Sequence, residues 1–171
     1  MRPLIVCIKV GSKYGPEYVN RLAAGVHRHT TRPYDFVCLT DDPIGVDCCK
    51  VGVGTDLPGW WAKLVLFKPH PALVDRRVVF LDLDTVIVGN MDFLLEYDGN
   101  FAILQDFYRP QGYGSAIMSI APGIGQGMWE LFTTEVMARL HGDQEWIREC
   151  TWGALWQDIY CLLNTSDAAD D

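Results

Sequence analysis

Residues 77–90 read RVVFLDLDTVIVGN, an apolar run that is interrupted by two acids. Up to Leu81 the run shows no polar alternation, which is typical of a strand buried on both faces in the middle of a parallel sheet. Side chains two apart on a strand point to the same face, so Asp82 and Asp84 are predicted to project together at its carboxyl end. Open α/β sheets bind ligands at that end. The pattern therefore predicts a central strand that ends at a ligand site.

The two carboxylates predict a site for a divalent metal ion. Two like charges this close are unfavourable unless a cation or a shared proton relieves them. Carboxylate oxygens are the ligands that Mg²⁺ or Mn²⁺ prefers. The alternative is a strand that simply ends in a solvated acidic turn, and the strongly apolar residues before Asp82 argue against it.

Length and charge limit the possible functions. The chain has 171 residues, which predicts one domain that can bury a substantial core. Its formal charge is −8, with 22 acids against 14 Lys and Arg, and no basic stripe is visible. Phosphate backbones require clustered cations, so a nucleic-acid partner is not expected. No segment is long enough to span a bilayer.

The six cysteines lie mostly in apolar segments, and none forms a C-x-x-C pair. Lys9 interrupts the apolar run at the start of the chain, so no secretory leader is predicted. Reduced thiols and a cytoplasmic location are therefore expected.

The chain before the acid pair predicts alternating strands and helices. Apolar runs at 4–8 and 34–40 are typical of strands, and Pro16 begins a helical pattern that ends in basic residues 27–29. The loop between the first strand and this helix carries two lysines and Tyr14, which could hold a nucleotide by stacking and phosphate attraction. An ordinary strand-to-helix turn explains the same loop. Residues 59–68 predict a helix stopped by Pro69, with its aromatics in the core and Lys63 as the functional candidate.

The chain after the acid pair continues the same pattern. Runs at 101–106 and 112–120 predict two further strands, and apolar residues between 128 and 140 follow helical spacing. Gly142 suits the end of that helix and Asp143 the cap of the next, so capping alone explains both residues. Residues 165–171 predict a disordered acidic tail. The whole pattern predicts a single α/β domain whose mostly parallel central sheet is flanked by helices.

Several of these stretches together resemble GT-A-fold glycosyltransferases. The resemblance is to the glycogenin-like and lipopolysaccharide galactosyltransferase-like group known as family eight, with its short bacterial and phage relatives, and covers residues 4 to about 150. Its most specific element is the D-x-D segment FLDLDTV at 80–86, preceded by Lys63-Leu64 at the family's interval. Residues 89–92 (GNMD) look like the family's N-I-D turn, 114–118 (GSAIM) like its N-S-G/A-V-M segment and 142–144 (GDQ) like its G-D-Q.

The resemblance implies a Rossmann-like GT-A domain over residues 1–164 and a metal-dependent transfer of a hexose from a nucleoside diphosphate-sugar, most plausibly a UDP-sugar, to an acceptor hydroxyl. Retention of the anomeric configuration is implied as well. Mn²⁺ or Mg²⁺ would be held by Asp84, with Asp82 serving both metal and donor. The implied donor-binding residues are Val10, Gly11, Tyr14, Lys63, Asp82 and Ser115, and the implied catalytic residues against the transferred sugar are Asp143 and Gln144.

The sequence departs from the family pattern in two places. Gly114 stands where the family usually has Asn, which removes an amide expected to contact sugar or acceptor. The family also commonly supplies a third metal ligand from a late H-x-G-x-x-K-P segment, whereas this chain has no His after 141 and no Lys after 68. The implied domain is therefore truncated relative to the family, or water and another group complete the site.

Two other functions fit parts of the sequence. Haloacid-dehalogenase-type phosphatases also have an apolar strand ending in D-x-D-x-T/V, with the first Asp as nucleophile and the second as acid/base. Asp82 and Asp84 fit that pattern, but it normally lies on the first strand of the domain and needs a downstream Lys. A nucleotide-sugar-binding module without turnover is the other alternative, since the late metal ligand is missing.

Overall fold

Seven strands in the described part of the chain form one sheet. The computed structural model describes residues 2–106, 108–109, 112–152 and 159–162. The strands are β1 (Leu4–Lys9), β2 (Asp35–Thr40), β3 (Cys49–Gly52), β4 (Val78–Leu81), β5 (Phe101–Gln105), β6 (Tyr113–Ile120) and β7 (Ile159–Leu162). Their order is β3-β2-β1-β4-β6-β5-β7. All neighbours pair in parallel except β6, which runs antiparallel to β4 and β5. The predicted α/β class and mostly parallel sheet are confirmed.

Helices cover this sheet. They are α1 (Pro16–His29), α2 (Asp92–Glu96), α3 (Gln126–Glu130), α4 (Thr134–Arg139) and α5 (Asp143–Trp152), together with a 3₁₀ helix (Gly59–Phe67). In the part of the chain that the structure describes, none of them combines the length and the apolar character needed to cross a membrane. The predicted disordered tail at 165–171 lies outside the described residues.

Strand β4 lies at the centre of the sheet and is buried on both faces, as the sequence predicts. It pairs with β1 on one side and with β6 on the other. Val78 and Phe80 belong to the hydrophobic cluster on one face, and Val79 and Leu81 to the cluster on the opposite face. Because both faces are covered, the end of this strand is held rigidly between its neighbours.

The acid pair begins just beyond the strand, which is one residue-level correction to the sequence prediction. Strand β4 ends at Leu81, and Asp82 continues the pairing only through its backbone N–H, which donates to Ala116 O at 2.8 Å. A turn follows, closed by Thr85 N–H donating to Asp82 O at 3.1 Å. Leu83 is buried in the cluster that contains Leu81. Leu83 lies between the two acids in sequence, and its burial anchors the turn.

Two helix predictions are wrong in detail. Residues 59–67 form a 3₁₀ helix, and almost all its residues from Trp61 onward are buried, so packing on several sides outweighs one amphipathic stripe. The predicted helix over 128–140 is broken into α3 and α4. Thr133 caps α4 by accepting a hydrogen bond from Val136 N–H at 3.3 Å, which is the role that its hydroxyl favours.

The predicted caps at Gly142 and Asp143 are also wrong. Helix α4 ends at Arg139, the cap residue after it is extended, and Gly142 does not adopt the positive φ of a glycine cap. Asp143 is the first residue of α5 rather than the cap before it. The carboxylate of Glu145 instead accepts from His141 N–H at 2.8 Å at this helix start. Asp143 lies in the first turn of α5, where a negative charge is favourable and where backbone N–H groups counteract the burial that raises the pKa of its carboxyl.

Candidate active site

A cavity of about 540 Å³ opens at the carboxyl ends of β1 and β4. This volume lies within the range of small-molecule sites in proteins. Four segments supply most of its lining: the end of β1 with the loop to α1, the start of the 3₁₀ helix, the turn after β4, and the start of α5. Since these segments are far apart in sequence, the cavity is a product of the fold.

Most of the residues predicted for the site line this cavity. They are Val10, Tyr14, Lys63, Asp82, Asp84, Asp143 and Gln144. Gly11 and Ser115 do not contribute to its wall. Gly11 has a φ of 65°, and its N–H donates to Asp41 Oδ2 at 2.8 Å, so it shapes the loop that carries Tyr14. Ser115 is fully buried beneath the cavity.

The two acids of the turn have different environments. Asp84 is exposed, and its Oδ2 accepts a hydrogen bond from the Tyr14 hydroxyl at 2.7 Å. Asp82 is half-buried, and its Oδ2 lies 2.7 Å from Lys63 Nζ. Burial raises the pKa of Asp82, while the neighbouring ammonium of Lys63 opposes that rise. Asp84 is thus open to a ligand, whereas Asp82 is tied to a lysine.

A short polar network extends from this pair into the floor of the cavity. Lys63 Nζ also donates to Ser115 Oγ at 3.2 Å. Lys63 and Ser115 both counteract the burial that raises the pKa of the Asp143 carboxyl, so Asp82, Lys63, Ser115 and Asp143 form one polar cluster. Ser115 acts here as a positioning residue that fixes a lysine and an acid relative to each other.

Asp143 has an unusual position for an acid. It is only 3% exposed, and its Oδ2 has no hydrogen-bond partner among the described residues. Burial raises the pKa of this carboxyl, opposed by Lys63 and by the hydrogen bond from Ser115. An unpartnered buried oxygen is costly to the fold, so such groups in native proteins call for an explanation. The raised pKa favours the neutral form of the carboxyl, which is less costly to bury. Asp143 also lines the cavity, although this oxygen is shielded from it.

The acid pair fits a divalent ion only together with a ligand. Among the described residues no group of three or more His, Cys, Asp or Glu side chains could hold a metal. Asp82 and Asp84 can supply two oxygens, and Mg²⁺ is commonly bound through one or two carboxylates plus substrate phosphates and water. The donor set therefore suits an ion that arrives with a phosphate-bearing molecule.

The sequence prediction missed several lining residues. Trp60 and Trp61 were both predicted to be core, but only Trp61 is buried, at 6% exposure, whereas Trp60 is 57% exposed and lines the cavity. Arg109 reaches the cavity from the loop between β5 and β6, and Glu145 from α5. No local pattern distinguishes the two tryptophans, because the direction of each depends on the 3₁₀ geometry.

Comparison with solved structures shows that this fold is the GT-A fold of glycosyltransferases. The glycosyltransferase GlyE of Streptococcus pneumoniae matches with a TM-score of 0.67 at 16% identity, over 98% of this chain and 46% of GlyE. An active-site mutant of LgtC matches with a TM-score of 0.60 at 14% identity, over 92% of this chain and 72% of that one. The bifunctional glycosyltransferase WbbM matches with a TM-score of 0.60 at 15% identity, over 94% of this chain and 38% of WbbM.

These similarities are at the level of the fold, which confirms the fold that the resemblance implies. No protein-family model matches the sequence, and no curated protein matches it significantly. The chain spans about half the length of GlyE. LgtC, a galactosyltransferase, has been solved with donor and acceptor sugar analogs.

Replacing Lys63, which the resemblance assigns to donor binding, by Met is expected to destabilise the protein. Lys63 is largely buried and neutralises Asp82, so its loss leaves a half-buried carboxylate without a counterion. We expect a loss of about 1–3 kcal/mol in the free energy of unfolding, measured by urea denaturation at pH 7.

The double variant Lys63→Met with Asp82→Asn serves as the control. Asp82→Asn removes the carboxylate charge that has lost its counterion. It should restore most of the lost stability, since the ion pair joins these two side chains. If the double variant were as unstable as Lys63→Met alone, the lysine would instead stabilise the fold through packing.

Proposed function

We propose that this protein is a glycosyltransferase that moves a hexose from a nucleoside diphosphate-sugar, with a UDP-sugar as the expected donor, to an acceptor hydroxyl. One observation carries the proposal: the cavity at the carboxyl edge of a GT-A-type sheet brings together the acid pair after β4 and the buried, unpartnered carboxylate of Asp143. The fold supports this class of reaction by similarity. The chemistry is argued below from the side chains themselves.

The nucleotide is proposed to bind at the end of the cavity formed by β1 and its loop. Ile8 and Val10 provide apolar wall there, and Tyr14 provides an aromatic ring. The ammonium of Lys13 lies 4.7 Å from the centre of the Tyr14 ring, so a cation and an aromatic group occur together. The aromatic ring is proposed to stack on the base of the nucleotide, and the ammonium to attract its phosphate.

The charges of the cavity support a requirement for a divalent cation. The described lining residues include four carboxyl groups (Asp82, Asp84, Asp143 and Glu145) beside the side chains of Lys13, Lys63, Arg109 and His141. A diphosphate would add further negative charge next to the exposed carboxylate of Asp84. Mn²⁺ or Mg²⁺ held by Asp84 and Asp82 would neutralise it, and would stabilise the charge that develops on the leaving diphosphate.

The protein side chains are proposed to prepare the sugar for transfer. The bond between the anomeric carbon and the diphosphate oxygen breaks, and its electron pair stays with the diphosphate. The acceptor oxygen forms the new bond and passes its proton to the leaving diphosphate or to water. Positive charge builds on the sugar as the old bond breaks, as in other glycosyl transfers. Asp143 lines the cavity and is proposed to stabilise that charge through its carboxylate, with Gln144 beside it. Retention of configuration is part of this proposal, without an assigned covalent intermediate.

Turnover of two substrates tests the proposal against its alternatives. With Mn²⁺ present, the chain should hydrolyse UDP-glucose or UDP-galactose slowly, because water can replace the acceptor, and should not hydrolyse p-nitrophenyl phosphate. Phosphatase turnover that disappears in Asp82→Asn would favour the haloacid-dehalogenase alternative. Tight UDP-sugar binding without any turnover would favour the non-catalytic module.

A further inference from the structure

Trp60 presents a large exposed aromatic surface inside the candidate site. Its side chain is 57% exposed, although the adjacent Trp61 is buried against Phe132. The indole N–H makes no hydrogen bond with any residue that the structure describes. Trp60 therefore offers both an apolar face and a free donor at the wall of the cavity.

The position of the indole is fixed from two sides. Trp60 follows Gly59, whose φ of 57° is a conformation that favours glycine, at the start of the 3₁₀ helix. On its other side the indole lies against Gly142, where a Cβ atom would come within 3.4 Å of the indole nitrogen. An alanine at 142 would make ordinary van der Waals contact with the ring. Since Asp143 comes next in the chain, the tryptophan lies close to the residue that carries the proposed catalytic carboxylate.

A series of contacts lies between Trp60 and the proposed nucleotide end. Tyr14 bonds to Asp84 in the turn, and Asp82 of the same turn pairs with Lys63. Ser115 links Lys63 to Asp143, and Trp60 lies against the glycine before Asp143. With the nucleotide at Tyr14 and the diphosphate at the acids, the end near Trp60 is left for the molecule that receives the sugar.

We propose that Trp60 is a stacking platform for a sugar ring of the acceptor, so that the acceptor is a glycan or glycoside. This inference rests on the proposed function. A pyranose has an apolar face of C–H groups that suits the negative face of an indole, and its hydroxyls can accept from the indole N–H. Polar side chains also line the cavity, namely His141, Gln144 and Glu145, and they suit hydroxyl groups better than a lipid chain.

The test compares acceptor and donor KM values in the full chain. Transfer from radiolabelled UDP-glucose and UDP-galactose with Mn²⁺ is measured to lactose, maltose and cellobiose, to a serine-containing peptide and to octanol. Trp60→Ala should raise the KM of the accepted disaccharide about tenfold, the worth of one aromatic contact, and Trp60→Phe should raise it less. The donor KM should shift much less than the acceptor KM. Phe93→Ala, at an exposed aromatic outside the cavity, is the matched control.

Each other outcome identifies which proposal fails. An unchanged acceptor KM in Trp60→Ala, or preferred transfer to the peptide or octanol by the wild-type protein, overturns the platform. An equal rise in the donor KM would assign Trp60 to the donor sugar and overturns it as well. Donor hydrolysis without transfer to any disaccharide overturns this inference alone, whereas a wild-type protein that neither binds nor hydrolyses the UDP-sugars overturns the proposed function too.

Discussion

Asp143→Asn is expected to reduce donor turnover about 100- to 1000-fold while leaving the protein at least as stable at pH 7. The proposed role of Asp143 is to place a negative charge beside the sugar as positive charge develops there, and a single preorganised electrostatic contact has effects of this size. Asn keeps the shape and one hydrogen-bond-accepting oxygen toward Ser115 but removes the charge. Steady-state hydrolysis of the UDP-sugar and thermal unfolding would measure the two quantities.

The pH dependence of this variant provides an independent check. Because burial raises the pKa of Asp143 in the folded protein, ionising it disfavours the folded state. The wild-type free energy of unfolding should therefore lose a contribution as pH rises from about 4, the ordinary Asp value, through the raised pKa. Asp143→Asn lacks that loss, so its stability relative to the wild type should increase with pH. If turnover were unchanged and stability fell, Asp143 would have a purely structural role.

Asp84→Asn is expected to abolish the enhancement of donor binding by Mn²⁺. Asp84 is the exposed member of the acid pair, and the amide oxygen of Asn can still accept the hydrogen bond from Tyr14. The change thus removes a negative charge with little change of shape. The gain in UDP-sugar affinity that Mn²⁺ provides should fall about 100-fold or more. This loss is larger than the loss expected for a residue that contacts only a metal ligand and not the metal. Calorimetric titration with and without MnCl₂ would measure it.

A charge-matched control separates this effect from the general electrostatics of an acidic protein. Asp47→Asn makes the same change at an exposed acid outside the cavity lining, and should leave the Mn²⁺ effect intact. Equal Mn²⁺ enhancement in Asp84→Asn and the wild type would show that Asp84 is not a metal ligand.

The sequence alone predicts much of this fold because its signals are local. The unalternated apolar run before Asp82 predicts a central strand, and β4 is buried on both faces. Pro16 and the basic residues near His29 predict α1 at the residues where it begins and ends. In both cases the pattern reflects which side chains must leave water, and that requirement does not depend on distant parts of the chain.

The parts that could not be predicted depend on distant contacts. Ser115 was assigned to the donor from its motif, yet the structure buries it between Lys63 and Asp143, which come from the 3₁₀ helix and α5. Trp60 and Trp61 are chemically identical neighbours, and only the packing of Trp61 on Phe132 distinguishes them. Such roles are set by which elements meet in space, so periodicity carries no information about them.

A crystal structure of the chain with UDP and MnCl₂, with anomalous scattering data for manganese, tests the central claim most directly. The account predicts an anomalous peak at about 2.1 Å from a carboxylate oxygen of Asp84, a diphosphate bridging to it, and the base at Val10 and Tyr14. Nucleotide bound outside this cavity, or nucleotide within it with manganese held elsewhere, would contradict the account.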